Sequence, residues 1–421
     1  MRCKKCVVLC FIMLLIGCLG SVATAKTKIT VSFWGDVWQS NLWQKVIDDF
    51  HAVQDEIEVE PLHIPSGYKQ KVLTMIAAGT APDVMAWEDK YGLEFAAIGA
   101  FKDLNPLIEQ DAVFRLDDLY HVAVEDLNFK GVQWALPWSM LTNAFVYNPE
   151  LFDYAGVQYP PTRWDDESWN WDSLVDTAKK LTRDLTGDGS VDQWGFHFHY
   201  TWSRWRIYVW QSGGEVWDDK AQNLLLDQES SLQGLRYIYN LVNVHGVSPR
   251  YGVFTNAAGG FLEKKTAMTM YASTPRDLFN WTVSWDVGAY ARGPAGNATV
   301  VVPDGVAISK TTAHTEAAWE FVKFLVGEGG QRTMAQRGIS PNRRTTRLFI
   351  EPSRKENLHV YLDAMAMGRV VNYTTKWTDL EGVMQREVIV PMLQGVRSPE
   401  EGVSVAMPLL RMLLQEAESR I

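Results

Sequence analysis

The chain has 421 residues, 47% hydrophobic and 21% charged, the balance of a soluble globular protein rather than a membrane-embedded or disordered one. At roughly 150 residues per domain, this length holds two or three domains. Fifty acidic residues against 40 basic ones give a formal charge of −10, which argues against a nucleic-acid footprint. Eighteen Trp stand beside 15 Tyr and 17 Phe, more indole than a core requires, and the surplus is flat surface available to a ligand.

All the cysteines, Cys3, Cys6, Cys10 and Cys18, fall near the start, where Arg2, Lys4 and Lys5 precede an apolar run from Val7 to Ile16. A basic start followed by an apolar stretch too short to span a bilayer reads as an export signal over residues 1–25. Two processing sites compete within it. Leu15-Ile16-Gly17-Cys18 resembles a lipobox, which makes Cys18 a lipidated N-terminus, whereas Ala23-Thr24-Ala25 resembles an ordinary small-x-small site that discards Cys18. The lipoprotein reading is preferred. Beyond Cys18 there is no thiol, so disulfides and thiolate metal sites are excluded, and no later stretch approaches ~20 uninterrupted apolar residues.

From Lys28 the pattern alternates strand and helix. Ile29, Val31 and Phe33 recur at period two and end at Trp34-Gly35-Asp36; Leu42, Trp43, Val46, Ile47, Phe50 and Val53 follow at helical spacing. Ile57 and Val59 suggest a second strand. A second helix is expected with Ser66 as N-cap, Tyr68, Val72, Leu73 and Ile76 on one face, and a stop at Gly79. Pro82-Asp83-Val84-Met85-Ala86-Trp87 reads as a third strand. The βαβαβ order implies a parallel sheet with right-handed crossovers. Ligands of such sheets sit beyond the carboxyl ends of the strands at a topological switch, which groups Trp34, Asp36, Trp87, Glu88 and Asp89 around one crevice.

Further along, helices are expected at Trp171–Arg183 and Ser231–Val244, and Ala317, Ala318, Phe321, Val322 and Leu325 form a stripe closing at Gly327. Ser398-Pro399-Glu400-Glu401 opens a last helix, with Ser398 as N-cap, Pro399 first in the helix and Glu401 completing a capping box. No repeat, low-complexity segment or long linker separates these pieces.

Several constellations bear on chemistry. Asp184-Leu-Thr186-Gly-Asp188-Gly189-Ser190-Val-Asp192 matches part of a calcium loop, with Asp184, Asp188, Ser190 and Asp192 as ligands. Thr186 replaces an acidic ligand and Gly195 stands where a bidentate Glu is needed, so a turn held by its own side chains is preferred over a weak structural calcium site. No cofactor is required. His197 and His199 alternate on a strand and face one side, but no third ligand lies at metal spacing, so a partly buried polar pair near the cleft is preferred. A glycoside hydrolase would need a pair of carboxyls, and nothing marks one. What remains is a Trp-rich set, Trp138, Trp202, Trp205, Trp217, Trp281 and Trp377, with Asp36, Glu88, Arg206 and Arg276 as polar companions. Sugars offer one C–H face and a rim of hydroxyls, which flat aromatics and bidentate polar groups match.

The segments Ile29-Thr-Val-Ser-Phe-Trp-Gly35, Ala78-Gly-Thr-Ala-Pro-Asp-Val84, Ala135-Leu-Pro137-Trp138 with Val146-Tyr-Asn148, Asp188-Gly-Ser-Val-Asp-Gln-Trp-Gly-Phe196, Gln211-Ser-Gly-Gly214, Lys265-Thr-Ala-Met-Thr-Met270 and Ser340-Pro-Asn-Arg343 occur in one order. In that order the chain resembles the family 1 extracellular solute-binding proteins, the sugar-capturing components of ABC importers. The resemblance implies an α/β, two-lobed periplasmic-binding-protein fold, with crossings near Pro137, Asp286 and Pro341. The first lobe is then 26–137 with 286–340, and the second 138–285 with 341–421. It implies a non-enzymatic monomer in the periplasm or on the outer face of the cytoplasmic membrane, touching the membrane only through its lipid anchor. Such a protein closes over a mono- or oligosaccharide and passes it to a permease. Trp34, Asp36, Glu88, Trp138, Trp202, Trp205 and Trp377 fall at familial binding positions. A carbohydrate-active enzyme, or a binding protein for a polyol, glycerol phosphate or peptide, are the alternatives.

Overall fold

The computed structural model describes residues 26–201, 204–350 and 356–417; the export segment with Cys18, and Trp202, lie outside the described residues. Strand β1 (Thr27–Phe33) buries Ile29, Val31 and Phe33 as its alternation predicts. Helix α1 (Val37–His51) begins where the Asp36 side chain accepts the Gln39 N–H at 2.9 Å. It buries Leu42, Trp43, Val46, Ile47 and Phe50, while Val53, beyond its end, is exposed. Strand β2 (Ile57–His63) follows. Helix α2 (Tyr68–Ala77) is entered through Gly67 in the left-handed region, φ 63°, and Ser66 does not cap it; the chain turns too sharply for the serine to reach the first N–H groups. Strand β3 (Val84–Glu88) leads directly into α3 (Asp89–Ala97).

A hairpin of β4 (Asn128–Phe129) and β5 (Val132–Gln133) precedes β6 (Leu136–Tyr147), whose 12 residues are all buried. Then come α4 (Trp171–Leu181), α5 (Trp205–Gln211) and α6 (Glu229–Tyr239), the last continuing as a π-helical stretch over Asn240–Val244. Strand β7 (Met268–Ala272), α7 (Pro275–Asn280), β8 (Asp286–Gly288) and β9 (Thr299–Ile308) lead to α8 (Thr315–Val326). The described chain closes with β10 (Gly368–Arg369), α9 (Trp377–Val383) and α10 (Pro399–Gln415).

Eight of the described strands form one sheet in the order β2-β1-β3-β9-β6-β7, with β8 on β6 and β10 on β9. The parallel sheet expected from sequence forms β2-β1-β3, and the short β10 also pairs parallel with β9; the other named pairings are antiparallel. β9 joins β3 antiparallel, because it returns from the second lobe instead of crossing over a helix. β6 and β9 are common to both lobes. β9 pairs with β3 through Asp304–Ile308, and β6 pairs with β7 and β8 beyond Asn143.

The lobe boundary expected near Asp286 therefore moves. Asp286–Gly288 pairs with Phe145–Tyr147, and the Ala289 and Arg292 N–H groups donate to Pro161 and Trp169 carbonyls, all in the second lobe. The chain crosses within β9, around residues 302–304. Near Pro341 it is still tied to the first lobe, through Tyr120 N–H to the Pro341 carbonyl and Arg343 N–H to the Asp118 carbonyl, and it reaches the second lobe by Phe349, which meets Tyr361.

The first lobe's sheet is covered on one face by a core including Trp43, Phe50, Phe321 and Val322, and on the other by Val72, Trp87, Phe95 and Trp134. A larger core in the second lobe takes Trp164, Trp169, Trp171, Trp205, Trp210, Trp217, Trp285 and Trp377. Most of the indole that composition offered as ligand surface is thus packing.

The capping box predicted for the last helix is present: Ser398 Oγ accepts the Glu401 N–H at 3.2 Å, and Glu401 Oε2 accepts the Ser398 N–H at 2.9 Å. Ser398→Ala should cost about 1 kcal/mol, read as a lower urea midpoint with an unchanged slope.

Candidate functional site

Where the lobes face each other, a cavity of about 520 Å³ is floored by Leu141, Val302 and Asp304 of the shared strands. Its first-lobe wall is Glu88, Lys90 and Tyr91, at the carboxyl end of β3. A second cavity of about 330 Å³ lies beside it under Trp34, Tyr68 and Trp87 and shares Glu88, Tyr91 and Thr378 with the first. β1 lies between β2 and β3, so Trp34, just past the end of β1, and Glu88, the last residue of β3, flank the switch point of the sheet.

The second-lobe wall comes largely from α9 and the turn before it. Trp377 and Tyr373 meet edge to face with centroids 4.6 Å apart. Glu381 Oε1 accepts from Gln385 Nε2 at 3.2 Å and lies 3.5 Å from Trp205 Nε1, whereas Glu381 Oε2 is buried with no hydrogen-bond partner. The cavity's cations are engaged by its acids: Lys90 lies 2.5 Å from Glu88, and Arg337 lies 3.2 Å from the buried Asp304. Aromatic faces thus stand beside a compensated set of charges and a free acceptor.

Two ties join the lobes at the rim. Thr378 donates to Glu94 at 2.7 Å and accepts from Lys69 at 3.1 Å, with Lys69 and Glu94 themselves paired. Asp36 pairs with Arg276 at 2.6 Å, and the guanidinium of Arg276 lies 5.0 Å from the Trp38 ring centroid. The Gln39 N–H, then Arg276, hold the Asp36 carboxyl below the usual carboxylate range.

Of the residues expected from sequence, Trp34, Glu88 and Trp377 line the cavities, and Asp36 stands at the rim rather than within. Trp138 is enclosed between Trp43 and Trp34, with centroids at 5.0 and 6.0 Å. Trp205, expected to face the cleft, has no exposed surface. Trp87 and Trp217 are buried, and Trp281 packs on Tyr271. Arg276 forms the rim tie and Arg206 lies behind Trp377. Sequence reasoning missed Tyr91, Asp304, Arg337, Tyr373, Glu381 and Gln385. The spacing Trp377, Glu381, Gln385 is the one signal that could have found any of them, since residues four apart share a helix face.

The calcium-like loop is folded on itself. Asp184 accepts the Gly187 and Gly189 N–H groups, Asp192 those of Leu185 and Thr186, and Asp188 that of Ser190. A side chain at Gly195, where the bidentate ligand would stand, would overlap the Ala178 carbonyl. Among the described residues no group of three or more His, Cys, Asp or Glu is placed to hold a metal ion.

The sequence profile of bacterial extracellular solute-binding proteins matches residues 38–332. The chain belongs to that family. A protein of Brucella abortus, named only as a binding protein, is 23% identical over 270 residues, 61% of this chain and 61% of its own length. The maltotriose-binding protein of Pyrococcus abyssi is 21% identical over 211 residues, 50% of this chain and 42% of its length. The chain thus spans less than two thirds of each of these relatives. An ABC substrate-binding protein of Listeria monocytogenes, solved in complex with cycloalternan, superimposes with a TM-score of 0.81 at 21% identity, covering 93% of this chain and 100% of that one. The two-lobed fold is therefore that of periplasmic binding proteins. Membership in an extracellular family implies export, and among the described residues no helix is long and apolar enough to cross a membrane.

In this solute-binding protein the two histidines lie behind and along the second-lobe wall. Their rings are 5.6 Å apart and nearly perpendicular, and His199 Nδ1 is 2.8 Å from Thr201 Oγ1. Burial, then the Arg204 cation, pushes His197 down to about 4 and His199 to about 3. The unfolded chain, at the ordinary 6.5, binds these protons first, so their contribution is complete above pH 6.5 and is lost as pH falls toward the folded values. Urea midpoints should hold from pH 8 to 7 and decline between pH 6.5 and 5, with a shallower decline in the His197→Gln, His199→Gln double variant.

Proposed function

We propose that the interlobe cleft takes a neutral mono- or oligosaccharide and that the protein delivers it to an ABC permease without transforming it. The observation that carries this reading is the placement, in two adjoining cavities of one cleft, of the half-buried Trp34 ring, Tyr373 and Trp377 beside the polar groups Glu88, Lys90, Asp304, Arg337 and Gln385. Aromatic rings suit the C–H side of a pyranose, and carboxylate, guanidinium and amide groups on the same walls suit its hydroxyls. Lys90 and Arg337 are already paired, so an anionic cargo such as a phosphate ester finds no free cation there. The maltotriose named for the archaeal relative and the cycloalternan bound to the Listeria protein support a gluco-oligosaccharide. A lipid anchor at Cys18 and a monomeric state complete the proposal.

Calorimetry with maltose, maltotriose and cycloalternan should give micromolar or tighter binding to at least one, with the sugar recovered intact by chromatography; glycerol phosphate should leave the melting temperature unchanged. Cleavage products would overturn the reading. Trp34→Ala removes a half-buried ring and should weaken binding by about tenfold, a loss near 1.4 kcal/mol, with little change in stability. Trp205→Ala, by contrast, empties a core site and should destabilise the fold by about 3–5 kcal/mol.

A further inference from the structure

Arg206 is 2% exposed and its Nε and Nη2 have no hydrogen-bond partner. Its guanidinium carbon lies 4.6 Å from the ring centroid of Trp217, 4.8 Å from Trp205 and 4.9 Å from Trp377. A buried arginine ordinarily finds a bidentate carboxylate, because the cost of removing the cation from water must be offset. Here three indole faces provide that compensation, with Glu381 and Glu215 adding charge attraction. If the site needed only filling, an apolar side chain would fill it with no desolvation cost.

Each ring around the cation leads to the cleft wall. Trp377 is part of that wall. Trp205 Nε1 reaches toward Glu381 Oε1, the oxygen next to the one that has no partner. Trp217 Nε1 donates to the Asn372 carbonyl at 3.0 Å, fixing the turn that presents Tyr373 against Trp377. Arg206 itself does not line the cavity. Resting on the sugar-binding reading above, we propose that Arg206 is a positioning residue, the hub that holds Trp377, Tyr373 and Glu381 in the geometry that meets a sugar.

Arg206→Met keeps similar bulk without the charge, Arg206→Gln is polar and uncharged, and Arg206→Lys keeps the charge without the plane. Two readouts separate positioning from the sugar reading. The first is the indole ¹⁵N–¹H resonance of Trp377 in the ligand-free protein, assigned by its loss in Trp377→Phe. The second is maltotriose affinity, or that of the tightest binder among maltose, maltotriose and cycloalternan. In Arg206→Met and Arg206→Gln the resonance should shift or broaden and affinity fall about tenfold or more, while Arg206→Lys should return the resonance and bring affinity within about threefold of the parent. An unmoved Trp377 resonance in whichever uncharged variant folds would overturn the proposal, as would unchanged affinity in that variant. A parent protein that binds none of the three sugars sinks the sugar reading instead, and the resonance still decides whether Arg206 positions the wall.

Discussion

The hydrogen-bonded pairing of β6 with β9 is the constraint on which the rest of the molecule depends. These two strands carry the sheet from one lobe into the other, so the lobes are joined by a backbone ladder rather than by flexible linkers. The ladder is supported from both sides: Ser273 Oγ accepts the Thr142 N–H, Thr299 Oγ1 donates to the Asn143 carbonyl, and Arg204 donates to the Asn143 side chain. At Gly305 an added Cβ would come within 3.1 Å of Leu127 and 3.3 Å of Ala135, so the strand passes the first lobe's core at a spacing that is tight for any side chain. The same strands supply Leu141, Val302 and Asp304, so the floor of the cleft belongs to the ladder that joins the lobes.

What could be read from sequence follows the range of the interactions involved. The Ser398–Glu401 box and the periodic faces of α1, α4 and α8 are set by neighbours within a turn or two, and those elements stand as expected. The crossing in β9 falls at Pro303-Asp304-Gly305, which by local pattern reads as a turn between two apolar runs, whereas Thr299–Ile308 continues through it as one strand held on both sides by β6 and β3. Trp138 and Trp205 were indistinguishable from Trp34 for a related reason. A tryptophan after a strand or at a helix start has the same local pattern whether it is covered by Trp43, by Arg206 or by nothing. The loop from Asp184 to Asp192 shows the converse. Its ligand-like spacing was plain, and so was the departure at Gly195, whose cause is the contact with the backbone of α4.

Apart from Glu381, the charged groups Glu88, Lys90, Asp304 and Arg337 of the cleft are paired before any ligand arrives. Glu88 with Lys90 and Asp304 with Arg337 present dipoles rather than net charge, and Arg206 is held among rings behind the wall. In a site of low dielectric such an arrangement favours partners that bring hydroxyls and apolar faces, and penalises those that bring an uncompensated ion. It also explains why the pronounced acidity of the chain says little about its cargo: the surplus acids lie elsewhere.

The ties at the rim bear on time rather than on affinity. Asp36–Arg276 spans the mouth outside the groups that face the cavity, while the Thr378 contacts to Glu94 and Lys69 bridge the lobes at the cavity wall itself. A molecule leaving the cleft must wait for them to part. Exposed pairs of this kind are worth roughly 0–1 kcal/mol each, too little to trap a ligand and enough to slow its escape a few-fold. Because the Asp36–Arg276 pair is exposed to ions, dissociation should quicken with salt while the contacts inside the closed cleft are left as they were.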